Sequence, residues 1–422
     1  MGLKTTTLCV SAAMLMTAAS SVSAQDVELD YWVYADFATG AAGDLQETFI
    51  KEFQDANPGV TINMTGRGGG DLTAGTIAGA ASGDIPDIFM NTTAVGAQLD
   101  QAGALANIYP YWKALPEDVK AQFNKDLIDL CTPAPEKMLC IPYTGYGSFM
   151  YRNLGVLEAA GIDPNAPIET WDQWLAQMEK IKGAGKTAVP DMSLIWFSIL
   201  DIYAGLVDES KWGIDWDAKK TLIDPVPYAK ALEVIAKMEP YSSGTSLWDQ
   251  ATNDLFTSGE LAFSLNGPWA APGYAKAAEA NADFKYDYVL VPGPVAGSPG
   301  GVQGYEMIGI APNDNAETAF KFAMHVVEKK QMVRWARELG RYNSNEAALN
   351  DPSVADDPLI KITGEAIPGS LYNRPPFFSG IYPADYYQTM VDFAQEVVEG
   401  DMTPEEAAKA TVEALNKLLA DS

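Results

Sequence analysis

The side chains that most enzymes use for nucleophilic or metal chemistry are scarce in this chain. His325 is the single histidine, and the three cysteines are Cys9, Cys131 and Cys140. A histidine-based triad or a Cys/His metal site needs several such groups at one place. We therefore expect neither kind of site, no metal and no cofactor. His325 falls on the polar face of a predicted helix, which indicates a surface residue.

Two glycine-rich segments imitate nucleotide-binding loops without matching them. Residues 183–187, GAGKT, lack the leading glycine of a phosphate-binding loop and follow a predicted helix instead of a strand. We interpret this segment as a helix end. Residues 66–70, GRGGG, lack the dinucleotide spacing and are typical of a loop that bends or approaches a ligand closely.

Aromatic side chains are abundant, with 10 tryptophans and 19 tyrosines. A carbohydrate site needs a ring that stacks on the apolar face of a sugar and planar polar groups that bond its hydroxyls. Residues 266–270, NGPWA, combine both in one turn. Trp269 is the candidate for stacking, and Asn266 and Gly267 offer an amide and a bare backbone N–H. The alternatives are a core tryptophan and ordinary turn chemistry.

The first 24 residues have the features of a signal peptide. Lys4 precedes an apolar stretch over residues 8–19, and residues 22–24, VSA, have the small side chains that a signal peptidase requires. We predict export to the periplasm with cleavage after Ala24. The apolar stretch is too short for a membrane-spanning helix. A lipid anchor on Cys9 is disfavoured because no apolar region precedes that cysteine.

The length and charge of the chain narrow its class further. A chain of 422 residues is longer than the size at which a single hydrophobic core stops growing, so two lobes are expected. The formal net charge of −28 repels phosphate backbones and anionic lipid headgroups, which makes a nucleic-acid or membrane-surface partner improbable. In an oxidising compartment, the even pair Cys131 and Cys140 predicts a disulfide that staples a short hairpin.

Strand and helix patterns alternate along the chain. Residues 27–34, 60–64 and 85–90 are predicted strands, and the helix after the first carries Leu45 and Phe49 on one face. Such alternation predicts a parallel sheet covered by helices, an α/β lobe.

The second half continues this pattern with stronger helix signals. Thr170 and Gln173 form a predicted capping box, residues 228–239 form an apolar-striped helix, and residues 403–406, TPEE, open the last helix. Residues 291–304, rich in proline and glycine, suit an extended crossing between two lobes.

Four segments resemble, in this order, the family of extracellular solute-binding proteins that includes maltose-binding protein. They are residues 82–88 (SGDIPDI), 141–153 (IPYTGYGSFMYRN), 256–270 (FTSGELAFSLNGPWA) and 304–310 (GYEMIGI). The segments are spread over nearly the whole mature chain, and NGPWA is the closest local match. Their order is stronger evidence than any one of them.

The resemblance implies an α/β, two-lobed periplasmic binding protein fold, type II-like, with parallel or mixed sheets, flanking helices and a hinge of crossing strands. The expected division is a signal peptide (1–24), an N-terminal lobe (25–146 plus 300–341) and a C-terminal lobe (147–299 plus 342–422). It also implies a monomeric, non-enzymatic subunit of an ABC importer. Such a subunit binds a sugar or sugar-like solute and presents it to transmembrane permease subunits by hinge closure.

The resemblance and the positions of strand ends and aromatic segments suggest further residues of the cleft between the lobes. In maltose-binding relatives, the position matched by Trp269 stacks on a sugar ring. The strand ends, the crossings and the aromatic segment near the C-terminus supply the other candidates: Tyr34, Asp36, Thr39, Asn91, Thr92, Tyr146, Trp196, Tyr305, Arg341, Tyr342 and Tyr382. Asp36 can accept two hydroxyls, Trp196 lies in a stretch that is equally compatible with a core, and Tyr151 is expected to be structural.

The ligand class stays open because this chain departs from the maltose-binding pattern. The cleft acid of the first crossing falls at about Gly145, and Asn91 or its neighbours replace the tryptophan after the third strand. Arg67 and Arg341 suit carboxylate, sulfonate or phosphate groups, so an acidic sugar or a polyol phosphate is the alternative ligand. A secreted glycoside hydrolase, which needs only two carboxylates at a sugar cleft, is the rival class, and an adhesin without a small ligand is the third.

Overall fold

A computed structural model of the protein describes residues 26–208, 211, 213–215, 218–301, 303–366 and 385–421. In chain order its strands are β1 (Val27–Tyr34), β2 (Val60–Arg67), β3 (Ile88–Thr92), β4 (Ile141–Gly147), β5 (Phe149–Asn153), β6 (Ile214–Asp215), β7 (Lys220–Thr221), β8 (Phe263–Asn266), β9 (Tyr286–Val289) and β10 (Gln303–Ile310).

The helices of the first half are α1 (Gly40–Ala56), α2 (Gly69–Ser82), α3 (Gly96–Gln101), α4 (Tyr109–Lys113), α5 (Glu117–Lys120), α6 (Lys125–Leu130), α7 (Leu154–Ala159), α8 (Trp171–Gly183) and α9 (Trp196–Ala204). Those of the second half are α10 (Pro225–Met238), α11 (Gln250–Thr257), α12 (Ala271–Ala280), α13 (Ala316–Val326), α14 (Lys329–Leu339), α15 (Glu346–Leu349), α16 (Pro358–Ala366), α17 (Tyr386–Glu399) and α18 (Pro404–Asp421).

A five-stranded mixed sheet organises the first lobe. Its strand order is β2-β1-β3-β10-β4. β1 runs parallel to β2 and β3, whereas β10 runs antiparallel to both of its neighbours. The sheet is buried among helices, and one continuous core joins Val33 of β1 and Ile308 of β10 to Phe49 of α1, Phe322 of α13 and Trp335 of α14.

A smaller antiparallel sheet, β8-β5-β9, organises the second lobe. Its core is separate from that of the first lobe. It gathers Met150 of β5, Trp174 of α8, Leu232 of α10, Met390 of α17 and Leu415 of α18. A further aromatic cluster around Tyr151 and Tyr274 covers the other side of this sheet.

The sequence signals at the helix ends correspond to real caps. The backbone N–H of Gln173 donates to Thr170 Oγ1 at 3.3 Å, and that of Thr170 donates to Gln173 Oε1 at 3.2 Å, so the predicted capping box is confirmed. The N–H of Glu406 likewise donates to Thr403 Oγ1 at 3.2 Å before α18. The predicted disulfide joins Cys131 to Cys140, and both cysteines are fully buried.

Three local predictions were wrong. Residues 66–70 are not a loop, because β2 continues through Arg67 alongside β1 and α2 begins at Gly69. β3 begins only at Ile88. The side chain of Asp87, just before it, accepts hydrogen bonds from the N–H of Asp30 and the amide of Asn313. His325 does lie on helix α13, but it is half-buried, with Nε2 3.1 Å from the Phe49 carbonyl oxygen.

The chain passes between the sheets at three places that lie close together. Ser148 alone separates β4 of the first sheet from β5 of the second. Its hydroxyl donates to Asp201 Oδ1 of α9, and the N–H of Gly301, on the return passage, donates to the Asp201 carbonyl oxygen at 3.0 Å. The third passage follows Val354, which packs against Ala336 of α14, whereas Leu359 of α16 packs in the cluster around Tyr151.

We predict that Asp87→Ala lowers the free energy of unfolding by about 2–4 kcal/mol. Asp87 Oδ2 accepts the N–H of Asp30 at 2.9 Å, and its Oδ1 accepts the side-chain amides of Asn313 and Asn315, each at 2.9 Å. Urea denaturation measures the loss. Asp55→Ala is the control, because it removes an exposed partner of Lys51 and should change stability by under about 0.5 kcal/mol. Equal effects of the two variants would contradict the prediction.

Candidate functional site

Tyr34 and Asn91 meet where β1 and β3 end. The Tyr34 hydroxyl donates to Asn91 Oδ1 at 3.5 Å, and the Thr73 hydroxyl of α2 donates to the same oxygen at 3.0 Å. The N–H of half-buried Thr92 also donates to it at 3.1 Å, which fixes the amide orientation. Asn91 Nδ2 is buried and has no hydrogen-bond partner among the described residues. Because an unpaired buried donor is costly, this amide group is a candidate to serve a ligand.

Arg341 and Asp36 form a close ion pair in the first lobe. Arg341 Nη2 lies 2.6 Å from Asp36 Oδ2, and the guanidinium carbon lies 4.5 Å from the centre of the Phe37 ring. The arginine side chain is 7% exposed, whereas that of the aspartate is 52% exposed. The arginine charge is therefore largely matched within the protein, and Asp36 presents its exposed side to solvent.

Glu306 lies on β10 opposite Thr92 of β3, at the same end of the sheet. On its other side β4 makes a bulge, so that Tyr143 and Thr144 together oppose Glu306. Glu306 is half-buried, yet its Oε2 is sealed from solvent and has no hydrogen-bond partner among the described residues. Glu306 is the single charged residue of β10.

Burial raises the pKa of Glu306 to about 8; Arg341 opposes this rise, and Asp36 adds to it. At pH 7 the carboxyl group is therefore mostly protonated and can donate a hydrogen bond. Burial, with Glu306 as the second cause, also raises the pKa of Tyr34 and of Tyr146. The hydroxyl groups around Glu306 consequently stay neutral donors at physiological pH.

Tyr146 of β4 brings the two lobes into contact. Its ring meets the indole of Trp269, from the second lobe, edge-to-face at 6.1 Å between centroids. Glycine at position 304 makes room for this tyrosine, since a Cβ there would lie 2.2 Å from Tyr146 Oη. Both rings are half-buried, so part of each stays accessible.

The turn that carries Trp269 is held from within the second lobe. The Tyr151 hydroxyl donates to the Gly267 carbonyl oxygen at 3.0 Å, which gives Tyr151 the structural role expected of it. A Cβ on Gly267 would lie 2.0 Å from the indole, so only glycine lets the ring fold back over the turn. Asn266 Oδ1 accepts the N–H of Gly267 at 3.1 Å. The amide of Asn266 therefore serves the turn.

A pocket of about 410 Å³ opens beside Trp269. Trp248 forms part of it, is 39% exposed, and packs edge-to-face with Trp269 at 6.1 Å. The polar side chains that line the pocket are those of Gln250, Asn253, Asp254, Thr257, Asn266 and Tyr274. Two tryptophans edged by amides, hydroxyls and the Asp254 carboxylate suit the faces and hydroxyls of a polyhydroxylated molecule.

Trp196 extends the aromatic wall at the start of α9. It stacks on Tyr387 with centroids 4.3 Å apart and planes at 22°. It also meets Phe197, whose ring lies 4.8 Å from that of Trp248. The second lobe thus presents a series of rings that runs from Trp196 to Trp269.

The other described candidates lie at the crossings and around the ends of β1 and β2. Buried Tyr305 and half-buried Tyr342 flank Gly145 at the crossings, where a Cβ would lie 2.9 Å from both rings. Thr39 is the exposed N-cap residue of α1 and donates its hydroxyl to the Ala35 carbonyl oxygen at 3.0 Å. Arg67 places its guanidinium 3.4 Å from the Trp32 ring centre. Tyr382 lies outside the described residues.

Three residues of the site were missed by the sequence analysis: Glu306, Trp248 and Tyr387. Glu306 had a visible signal, because a single acid within GYEMIGI needs a reason to be there. Trp248 and Tyr387 had none beyond their aromatic character, since only the fold brings them beside Trp269 and Trp196. Among the described residues no group of three His, Cys, Asp or Glu side chains is placed to hold a metal ion.

A profile of the family described as bacterial extracellular solute-binding protein matches residues 48–362. The chain belongs to this family. The solute-binding family expected from the sequence motifs is thereby confirmed. Among the described residues, no helix is long and apolar enough to cross a membrane.

Curated relatives of this solute-binding protein match between about a third and four fifths of its length. The sn-glycerol-3-phosphate-binding periplasmic protein UgpB of Brucella melitensis biotype 1 is 23% identical over 366 residues, which cover 83% of this chain and 82% of the relative. UgpB of Agrobacterium fabrum is 28% identical over 165 residues, 37% of this chain and 36% of the relative.

Solved structures share the fold. The GacH receptor of Streptomyces glaucescens superposes with a TM-score of 0.78 at 20% identity, covering 94% of this chain and 100% of the receptor. The maltotriose binding protein of Thermus thermophilus superposes with a TM-score of 0.75 at 18% identity, covering 92% and 99%. The predicted two-lobed α/β fold with mixed sheets and flanking helices is confirmed.

We predict that Glu306→Gln stabilises this solute-binding protein at high pH. The unfolded chain releases the Glu306 proton near pH 4.5, whereas the folded protein holds it to about pH 8. Between these values the folded state binds more protons, so the wild type loses stability as the pH rises. Relative to Glu306→Gln, the wild type should lose roughly 2–4 kcal/mol between pH 5 and pH 9.

Urea denaturation at pH 5, 7 and 9 measures this difference. Glu317→Gln is the control: the exposed Glu317 pairs with Lys321, which holds its pKa below the usual value, so its stability effect changes only at lower pH and stays constant from pH 5 to pH 9. A stability difference between wild type and Glu306→Gln that stays constant from pH 5 to pH 9 would contradict the assignment.

Proposed function

We propose that this protein is the solute-capturing subunit of an ABC importer and binds a neutral sugar or sugar-like solute in the cleft between its lobes. The observation that carries this proposal is the meeting of Tyr146 and Trp269 across the cleft. A solute held by groups from both lobes makes its full set of contacts only when the lobes are closed. Binding then shifts the population toward the closed form, which the permease subunits recognise.

The proposed lobes are those expected from the sequence, with one change at the third crossing. The backbone N–H of Ser344 donates to the Tyr143 carbonyl oxygen at 2.9 Å, and Asn345 Nδ2 donates to the Val327 carbonyl oxygen at 3.0 Å. These contacts favour assigning residues 343–354 to the N-terminal lobe. The crossings at Ser148, at Gly301 and between Val354 and Leu359 form the proposed hinge.

A neutral solute fits the charges of the cleft better than an anion. Arg341 is engaged by Asp36, whereas Arg67 lies over Trp32 and its buried Nε has no hydrogen-bond partner among the described residues. The remaining groups are aromatic rings, amides, hydroxyls, the carboxylates of Asp36 and Asp254, and the mostly protonated Glu306. The names of the UgpB relatives keep sn-glycerol 3-phosphate among the compounds to test.

The proposal includes a periplasmic location, with a signal peptide cleaved after Ala24, and a monomeric protein without catalytic activity. The family of solute-binding proteins supports the location outside the cytoplasm. Reversible one-to-one binding without turnover distinguishes this function from that of a glycoside hydrolase, which breaks the linkages of its ligand.

We predict that a neutral saccharide raises the melting temperature of the mature protein and that Trp269→Ala weakens its binding about tenfold or more, because the stacking surface is lost. Differential scanning fluorimetry with monosaccharides, maltose, trehalose, maltotriose, polyols, uronic acids and sn-glycerol 3-phosphate identifies the ligand. Calorimetric titration then gives its affinity.

Tyr241→Ala is the matched control for this test. It removes a half-buried aromatic ring of the second lobe whose hydroxyl donates to Glu179 Oε2 at 2.6 Å, away from the aromatic wall. Its affinity should equal that of the wild type. A shift only with anionic ligands would replace the neutral-sugar proposal, and unchanged binding by Trp269→Ala would remove that residue from the site.

A further inference from the structure

Glu306 has no structural partner that explains its presence. Oε2 is sealed from solvent and unpaired among the described residues, and the nearest arginine, Arg341, forms its ion pair with Asp36. A buried carboxyl group without partners destabilises a fold, and an amide or an apolar side chain would cost less. The energetic cost is understandable if the partner of this group arrives from outside.

The position of Glu306 directs it to the cleft end of the first sheet. Its register partner is Thr92, the last residue of β3, and the bulge in β4 locally changes the strand path beside it. The titratable groups that interact with Glu306 come from each packed element: Tyr31 and Tyr34 of β1, Asp36 after β1, Tyr143 and Tyr146 of β4, and Arg341 after α14.

We infer that Glu306 contacts the solute and determines specificity, by donating a hydrogen bond from its neutral carboxyl group to a hydroxyl of an uncharged polyhydroxy ligand. This inference rests on the proposed function. A protonated carboxyl group offers one donor and one acceptor, which a sugar hydroxyl matches with its own acceptor and donor. An ionised Glu306 would have no O–H group to donate. Its charge would also lie in the closed cleft without water around it, which is unfavourable.

The same arrangement disfavours anionic solutes. Asp36 already places a negative charge at this end of the cleft, and the positive charge of Arg341, which acts on Glu306, is matched by that aspartate. A phosphate or carboxylate beside Glu306 would raise its proton affinity further without gaining a cation. The protonated carboxyl group of Glu306 would then favour neutral solutes over anionic ones.

We predict that the affinity for a neutral saccharide falls as Glu306 ionises, about tenfold between pH 6 and pH 9. Calorimetric titrations at pH 6, 7.5 and 9 use maltose, trehalose, maltotriose and sn-glycerol 3-phosphate as probes. Glu306→Gln keeps a donor but cannot ionise, so its pH profile should be flat. Glu306→Ala removes the group and should weaken binding at pH 6 about tenfold or more.

The controls separate this inference from the proposed function. Glu317→Gln removes an exposed charge from α13 and should follow the wild-type profile. Parallel pH profiles of wild type and Glu306→Gln would overturn the role of Glu306 while leaving the proposed function intact, provided that Trp269→Ala still weakens binding. No binding of any probe to the wild type at any pH would overturn the proposed function, and this inference with it.

Discussion

The crossing at Ser148 is the constraint on which the cleft depends. With one residue between β4 and β5, the first sheet and the second cannot be separated in space, and the end of one strand faces the start of the next. Tyr146 lies just before this crossing. Just after it, Phe149 pairs with Asn266, so the register of β5 and β8 brings the turn with Trp269 to the same place. Covalent continuity and strand register together position the aromatic pair.

The groups around Arg341 and Glu306 carry little net charge, although the protein is strongly acidic. The net charge of the chain is −28, yet at the site the main charges cancel between Arg341 and Asp36, and Glu306 keeps its proton near neutral pH. The acidic surface favours solubility, while in the proposed site recognition depends on rings, amides and hydroxyls. The two tasks are carried out by different residues.

Sequence patterns predicted what local chemistry determines. The caps before α8 and α18, the apolar face of α1, the disulfide and the family motifs depend on short spacings that a sequence displays directly. Tyr34, Asn91, Tyr146 and Trp269 could be placed near one another because strand ends and a family motif indicated them. The loop assigned to residues 66–70 was wrong because pairing with β1 outweighed the preference of glycine for turns.

Long-range packing determined what the sequence did not reveal. Trp248 and Tyr387 join the aromatic wall only through contacts between distant elements, and the pairing of Arg341 with Asp36 spans most of the chain. The role of Glu306 was overlooked because it depends on the lack of a salt-bridge partner among the described residues. The spacing of residues in a sequence does not show whether an acid has such a partner.

The buried disulfide ties the protein to the compartment in which it folds. Cys131 and Cys140 lie in the first-lobe core without exposed surface, so a thiol reagent cannot attack the bond until that core opens. The oxidant that makes the bond must likewise reach the sulfur atoms before the lobe is packed. Oxidation is therefore an early step in the maturation of this chain, and once the lobe has closed the bond is shielded from the redox state of its surroundings.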